Sequence, residues 1–386
     1  MKLLIYHWNS YLQYDISEIC KEKNISFCTF QWRFEDKHRD EKFSKWFSET
    51  IQTGEYGALL SVNYYPVLSD ACMEKGLKYI AWCYDNPLNV ERIEETLGNP
   101  VNYVFLFDKI QFWQYAKKGF ETVYHLPLGV NRTRLMKLKV KEGDYAKYAA
   151  EVSFVGNLYQ SLLHELMEPI DDYTKGYLKA LMNVQSQIYG EYIFDKTISE
   201  ELIDNINKQY LKQNPDTRLR LSKPALTFAM ASEITRNERL ILLNLCGKRF
   251  DTKFYSYDDS TLIKNVTKCR PVDYVREMPL VFACSKVSLN PSLRIIQTGI
   301  PLRAFDIMGA GGFLISNYQE ELVEYYENGT DMVIYESLGD AIEKIQFYLN
   351  HEDIRCKIAE SGRKKTLEEH SLQECMEKIF KAAELA

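Results

Sequence analysis

Across its first 130 residues the chain alternates short apolar runs with amphipathic stretches. KLLIYHW, ISFCTFQW, YGALLSV, LKYIAWCY, VNYVFLF and ETVYHLPL are rich in β-branched and aromatic residues, and they predict six strands. Between them, Leu12–Lys23, Lys42–Gln52, Val67–Lys75 and Lys109–Lys118 carry apolar positions at helical spacing. Near-continuous apolar strands alternating with helices predict a parallel, doubly wound sheet. Such sheets bind ligands at the carboxyl ends of their strands.

Pro127 to Ala150 reads as a connection, because LPLGVN is extended and punctuated by Pro and Gly. RTRLMKLKVK then sets five basic residues in ten, which suits either a solvated connector or contact with an anionic lipid surface. EVSFVGN restarts the strand pattern. A polar tract without strand-like runs follows from about 161 to 237 and predicts a helical insertion. The rhythm then resumes: a helix over Glu238–Cys246, strands at DTKFYSY, SKVSLN, FLISN and MVIY, and helices at Leu302–Gly309, Glu320–Tyr326, Leu338–Leu349 and Asp353–Glu369. Ser371 with Glu374 fits a capping box that opens a last helix. The expected fold is α/β, with two doubly wound Rossmann-like domains facing a cleft: an N-terminal domain over 1–130, a connector over 131–150 and a second domain over 151–370. The helix over 371–386 is expected to pack back on the first domain. Domain interfaces are favoured ligand sites.

Composition narrows the function. Apolar residues make up 46% of the 386-residue chain, charged residues 26%, and the net charge is −6. This is an ordinary globular balance, and its sign argues against nucleic acid as the main partner. No apolar run approaches the roughly 20 residues of a membrane span. MKLLIYHW lacks the longer apolar region and cleavage site of a signal peptide, so a cytoplasmic location is expected, with at most peripheral contact at the inner membrane face. The nine Cys form no C-x-x-C pair and the six His no zinc spacing, so no metal or cofactor is expected. G-x-G-x-x-G, G-x-x-x-x-G-K-[ST] and G-x-S-x-G are all absent.

Candidate chemistry is densest from Asn290 to Gln319, NPSLRIIQTGIPLRAFDIMGAGGFLISNYQ. A strand ends at Asn290. Gly299–Ile300–Pro301 turns into a helix at Leu302, and Gly309, Gly311 and Gly312 turn out of it. A helix N-terminus suits a phosphate. Arg303 in its first turn adds a donor able to grip a diphosphate and support its departure. Asp306, three residues on, shares that face and can accept both hydroxyls of a ribose. A plain Arg303–Asp306 pair over a structural turn fits the same residues.

From Pro279 to Tyr326 the sequence resembles the CgeB-like glycosyltransferases, a GT-B group first known from spore maturation proteins. SKVSLN and GIPLRAFDIMGAGGFLISNYQEEL carry the resemblance. NGTDMVIYESLGDAIEKIQFYL and AESGRKKTLEEHS extend it, and WCYDNPLNV, VNYVFLFDK and YHLPLGVN are similar to the N-terminal domain often joined to it. The resemblance implies a glycosyltransferase that uses a nucleotide diphosphate sugar, foremost a UDP-sugar, with the donor in the second domain and a glycan, protein or lipid-linked acceptor in the first. Many retaining GT-B enzymes carry two Glu eight positions apart. The second would fall on Asp306 and the first on Thr298, so the first is missing and the second shortened. The resemblance also points to Gly156 and Asn157, after the first strand of the second domain, as a phosphate contact. Val272 and Tyr274 become candidates for lining the base. A catalytically silent nucleotide-sugar scaffold and a GT-B epimerase remain alternative readings.

An inverting reaction needs a base for the acceptor hydroxyl. Asp85 follows the fourth strand directly and His7 the first, both at strand carboxyl ends. A turn-starting Asp and a structural His are the plain alternatives. Asn63, Tyr64 and Tyr65 follow the third strand and add a polar and aromatic rim. Trp8, Tyr64 and Tyr84 are candidates to stack on sugar faces.

Overall fold

The computed structural model describes residues 2–385 except Thr53, Asn89, Glu91 and Arg92. Asn89 of the WCYDNPLNV stretch thus lies outside the described residues. The first sheet comprises β1 (Lys2–Tyr6), β2 (Ser26–Phe30), β3 (Ala58–Val62), β4 (Lys78–Trp82), β5 (Asn102–Leu106) and β6 (Val123–His125). The second comprises β7 (Ala150–Val155), β8 (Thr252–Tyr255), β9 (Thr267–Cys269), β10 (Ser285–Asn290), β11 (Leu314–Asn317) and β12 (Val333–Tyr335).

The first sheet runs β2-β1-β3-β4-β5-β6 and the second β12-β11-β10-β7-β8-β9, with parallel pairing throughout. Each sheet therefore reverses its winding once, between β1 and β3 in the first and between β7 and β10 in the second. Those reversals open crevices at the strand carboxyl ends. The central strands are buried on both faces: every residue of β3 is buried, and β4 is buried from Tyr79 onward.

The chain divides into two compact units. The first holds 1–138, 298–309 and 364–386, and the second 139–297 and 310–363. The segment 298–309 thus groups with the first unit by its contacts, although it lies between β10 and β11 in sequence. The last helix, Leu372–Ala382, is held within the first unit: Leu372 N donates to Val130 O at 2.8 Å, and Lys78 Nζ to Ala383 O at 2.7 Å.

Two expectations are corrected. The connection is not extended throughout, since it contains helices Arg132–Met136 and Glu142–Tyr148, although Lys137, Lys139 and Lys141 are exposed as a solvated connector requires. Asn131 caps the first of these, and Arg134 forms two hydrogen bonds, at 2.9 and 2.8 Å, to the fully buried Asp15. Nor does the expected helix Glu238–Cys246 stand alone. It is the second half of one 25-residue helix, Lys223–Gly247, capped by Ser222 with Pro224 in its first turn. No Gly or Pro interrupts residues 225–246, so the helix passes from the insertion into the unit's core unbroken. The insertion itself is helical, with helices at Leu163–Met167, Asp172–Ser186, Phe194–Thr197 and Glu200–Gln213.

Candidate functional site

In the first unit a cavity of about 700 Å³ opens at the carboxyl ends of β1, β2, β3 and β4, across the reversal of the sheet. His7, Trp8, Asn63, Tyr64 and Asp85 all line it, so the topology brings five sequence candidates together. Asn9 and Asn63, the hinge residues after β1 and β3, have φ of 64° and 65°, a left-handed backbone that Asn tolerates better than most side chains.

Asp85 is the centre of this group. Asn63 Nδ2 donates to Asp85 Oδ2 at 2.6 Å, while Asn63 Oδ1 accepts from the backbone N–H of Tyr84 at 3.1 Å and of Asp85 at 3.3 Å. The two N–H groups fix which end of the amide faces the carboxylate. Asn63 therefore positions Asp85, and its amide is not free for the acceptor contact expected of it. Protein encloses the Asp85 carboxyl on most sides, yet the open cavity leaves the residue solvent-accessible. Burial pushes the carboxyl above its ordinary value, against the opposing effects of the Asn63 hydrogen bond and the Lys37 charge.

His7 is placed differently. Gln31 Nε2 lies 3.0 Å from His7 Nδ1. Donation from the amide leaves the ring proton on Nε2, which suits holding a hydroxyl oxygen rather than taking its proton. Trp8 donates through Nε1 to Val62 O at 2.8 Å and stacks on Tyr84, centroids 6.4 Å apart and planes 13° apart. Tyr64 is corrected: it is 1% exposed and packs on Tyr79 at 5.7 Å, and its hydroxyl donates to Thr96 Oγ1 at 2.8 Å. It is a core residue with no face left for a sugar.

The cavity also has a wall that sequence reasoning missed. Gln31, Trp32, Arg33, Phe34 and Lys37 belong to the loop after β2. β2 ends at Phe30, two residues earlier than the run ISFCTFQW implied, so Gln31 and Trp32 are loop residues. The rule that placed Asp85 and His7 at strand ends applies equally to β2.

On the expected donor side, Gly156 and Asn157 follow β7 and Asn290 ends β10, the two strands that flank the reversal of the second sheet. Gly156 has φ 153°. Arg239 ties these loops together. Its guanidinium, 1% exposed, donates to Pro291 O at 3.0 and 2.6 Å and to the backbone oxygen of Asn157. Asn157 keeps an exposed side chain. Asn290 is corrected: it is fully buried, with Nδ2 given to Ser292 Oγ at 3.2 Å and Ser316 Oγ at 3.0 Å. It joins β10 to β11 and has nothing to offer a nucleotide.

Val272 and Tyr274 lie half-buried in a segment organised by Glu277. Glu277 pairs with Arg270 at 2.6 Å and accepts from Tyr148 at 2.9 Å and Asp273 N at 3.1 Å; Arg270 above all holds its carboxyl well below the usual range. Gly311, with φ 85°, and buried Gly312 make the turn into β11.

The segment 298–309 corrects a further expectation. The Gly299 N–H, expected to meet a diphosphate, donates instead to Asp108 Oδ2 at 3.1 Å, and Thr298 N donates to the same oxygen at 3.0 Å. Thr298 Oγ1 lies 3.3 Å from Asp108 Oδ1, which also caps the helix Lys109–Ala116 through Gln111 N at 3.0 Å. Asp108 is fully buried. A Glu at position 298 would set a second carboxylate beside it, which gives a physical reason for the Thr. A Cβ on Gly299 would lie 2.7 Å from the Phe107 ring, so the close approach requires glycine. Ile300 is buried and Leu302 half-buried. Arg303 and Asp306 stand in the helix Leu302–Gly309, and both are engaged within the protein. Asp306 is 6% exposed, too enclosed as placed to accept both ribose hydroxyls. Arg303 is not among the residues lining the first unit's cavity.

Among the described residues no group of three or more His, Cys, Asp or Glu could hold a metal ion, and no helix is long and apolar enough to cross a membrane.

Residues 230–381 match the family model of glycosyl transferase-like proteins. No curated protein matches the chain. Among solved structures, the Anabaena protein Alr3699/HepE, in complex with UDP and glucose, aligns over 100% of both chains at 10% identity and TM-score 0.52. Sucrose-phosphate synthase from Thermosynechococcus elongatus aligns over 99% of this chain and 98% of its own at 10% identity and TM-score 0.54. A UDP-forming α,α-trehalose-phosphate synthase from Burkholderia xenovorans aligns over 100% and 99% at 10% identity and TM-score 0.53. At such identity the likeness bears on the fold. The fold is GT-B, and its C-terminal part carries a glycosyl transferase-like domain.

Proposed function

We propose that this protein is a GT-B glycosyltransferase of the CgeB-like group. It moves a sugar from a nucleotide diphosphate sugar, a UDP-sugar foremost, to a hydroxyl of a glycan, protein or lipid-linked acceptor seated in the cavity of the first unit. Asp85 carries the reading: a solvent-reachable carboxylate at the carboxyl end of β4, oriented by Asn63 and with its proton affinity raised by enclosure. The acceptor O–H would give its proton to Asp85 while its oxygen bonds to the anomeric carbon. The bond from that carbon to the diphosphate breaks, and the diphosphate leaves with the electron pair. His7 Nε2 and the Trp8 ring would hold the sugar.

The donor side is supported by the family match over 230–381 and by structural neighbours solved with UDP and UDP-glucose. Arg303 would neutralise the leaving diphosphate, and the loops at Gly156–Asn157 and Gly311–Gly312 would approach it by backbone. We also propose that no metal is required, so transfer should persist in EDTA.

The test is release of UDP from UDP-sugars with and without a hydroxyl acceptor, for wild type and Arg303→Ala. Loss of transfer in a variant that still melts cooperatively is expected; unchanged turnover overturns the role of Arg303. A UDP-sugar bound with neither transfer nor hydrolysis would identify the silent scaffold that Thr298 motivates.

A further inference from the structure

The loop 31–40 is held in a fixed shape. Asp40, 5% exposed, accepts from Glu35 N at 3.0 Å, Phe43 N at 2.9 Å and Trp32 Nε1 at 3.3 Å. Tyr6 donates its hydroxyl to Trp32 O at 2.9 Å, and Val67 N donates to Lys37 O at 3.2 Å. The acids of this stretch are turned to other partners. Glu35 pairs with Lys42 at 2.5 Å, Asp36 accepts from His38 N at 2.8 Å, and Asp40 serves the contacts just given. Two cations on the same loop, Arg33 and Lys37, face the cavity instead. Among the described residues neither side chain has a hydrogen bond or ion pair, and Lys37 Nζ lies 5.9 Å from the Tyr65 ring centre.

Among the described lining residues Asp85 is the one carboxylate against these two cations. Lys37 balances Asp85, and Arg33 is left in excess. Once Asp85 has taken a proton the described lining holds two positive charges and no negative one. A neutral sugar hydroxyl calls for neither, in a chain whose net charge is −6. We propose that the cavity selects an acceptor bearing an anionic group, a phosphate or a carboxylate, held by Arg33 and Lys37 beside the aromatic wall of Trp32 and Phe34. Arg33 offers two parallel donors to either oxyanion and Lys37 a point charge. That the ligand is an acceptor rests on the transferase reading; the anion preference of the cavity does not.

The test is binding of glucose, glucose 6-phosphate and glucuronate to the full chain, followed by ligand-observed NMR up to about 50 mM, where weak sugar binding is still measurable. The expected result is binding of at least one anionic sugar roughly tenfold tighter than glucose, weakening as salt screens the exposed cations. The glucose 6-phosphate and glucuronate arms tell phosphate from carboxylate. In Arg33→Gln/Lys37→Gln the preference should fall to about twofold or less, while Arg33→Lys and Lys37→Arg keep it, because the charge persists. Thermal unfolding checks that each variant is folded. Equal affinity for charged and neutral sugars, no binding by any of them, or a preference that survives the double substitution overturns the proposal. UDP binding is scored separately on the same samples. Its absence counts against the transferase and leaves the anion preference standing.

Discussion

Asp85 and Asp108 are two acids with opposite uses. Asp85 faces solvent through a cavity, and enclosure holds its proton affinity above that of an ordinary carboxylate. Its charged form is the one disfavoured by the fold. It therefore costs no stability below the ordinary carboxylate range, begins to cost as pH rises through that range, and costs in full above its raised value. Asp85→Asn keeps an acceptor for Asn63 and removes that charge. The variant should melt no lower than wild type at pH 7 while losing about 100- to 10,000-fold in transfer, the usual worth of a general base. The acid limb of the wild-type rate profile should sit above the range of a free Asp. An acid limb at the free-Asp value, or a melting loss at pH 7, would count against the assignment. Asp108 is buried and spends its oxygens on the N–H groups of Thr298, Gly299 and Gln111. Asp108→Ala leaves those donors without partners and should cost roughly 2–4 kcal/mol, read by denaturant unfolding.

At the scale of elements, strand carboxyl ends were readable because apolar runs stop at polar residues: YHWN after β1, VNYY after β3 and CYDN after β4. That pattern gathered His7, Trp8, Asn63 and Asp85 into one cavity. It failed at β2, whose apolar run continues through Trp32 because that ring packs on Phe43 and Trp46 rather than pairing in the sheet. Residue type alone also could not separate Tyr64, a core ring, from Tyr84, a half-buried ring stacked on Trp8, since both follow strands. Nor could it show that Asn290 and Gly299 were already occupied. Their partners, Ser316 and Asp108, lie 26 and 191 residues away in sequence. Gly299→Ala tests one such contact. Its Cβ would meet the Phe107 ring at 2.7 Å and carbonyl oxygen at 2.9 Å, and the backbone cannot yield cheaply. A loss of about 1–3 kcal/mol is expected in unfolding, with Ala at Gly143, which has open space, as the neutral control.

At the scale of the whole molecule, the proposed function divides the labour between the two reversals of winding. The first sheet's crevice carries Asp85 and the aromatic wall, and the second sheet's crevice carries Gly156 and the loops braced by Arg239. If the donor belongs to the second crevice, its binding should not depend on the acid in the first. A ligand present at 100 times its dissociation constant adds about 2.7 kcal/mol to the state that binds it. Thermal unfolding against UDP, GDP, dTDP, CDP and NAD should therefore show a rise with one diphosphate, UDP foremost, and the same rise in Asp85→Asn. Arg239→Met should lose much of it, because Asn157 and Pro291 would no longer share a donor and the two loops would be free to part. Equal shifts in wild type and Arg239→Met would place the nucleotide elsewhere. A shift abolished by Asp85→Asn would mean that the donor reaches into the cavity assigned here to the acceptor, which would reverse the division of labour between the two sheets.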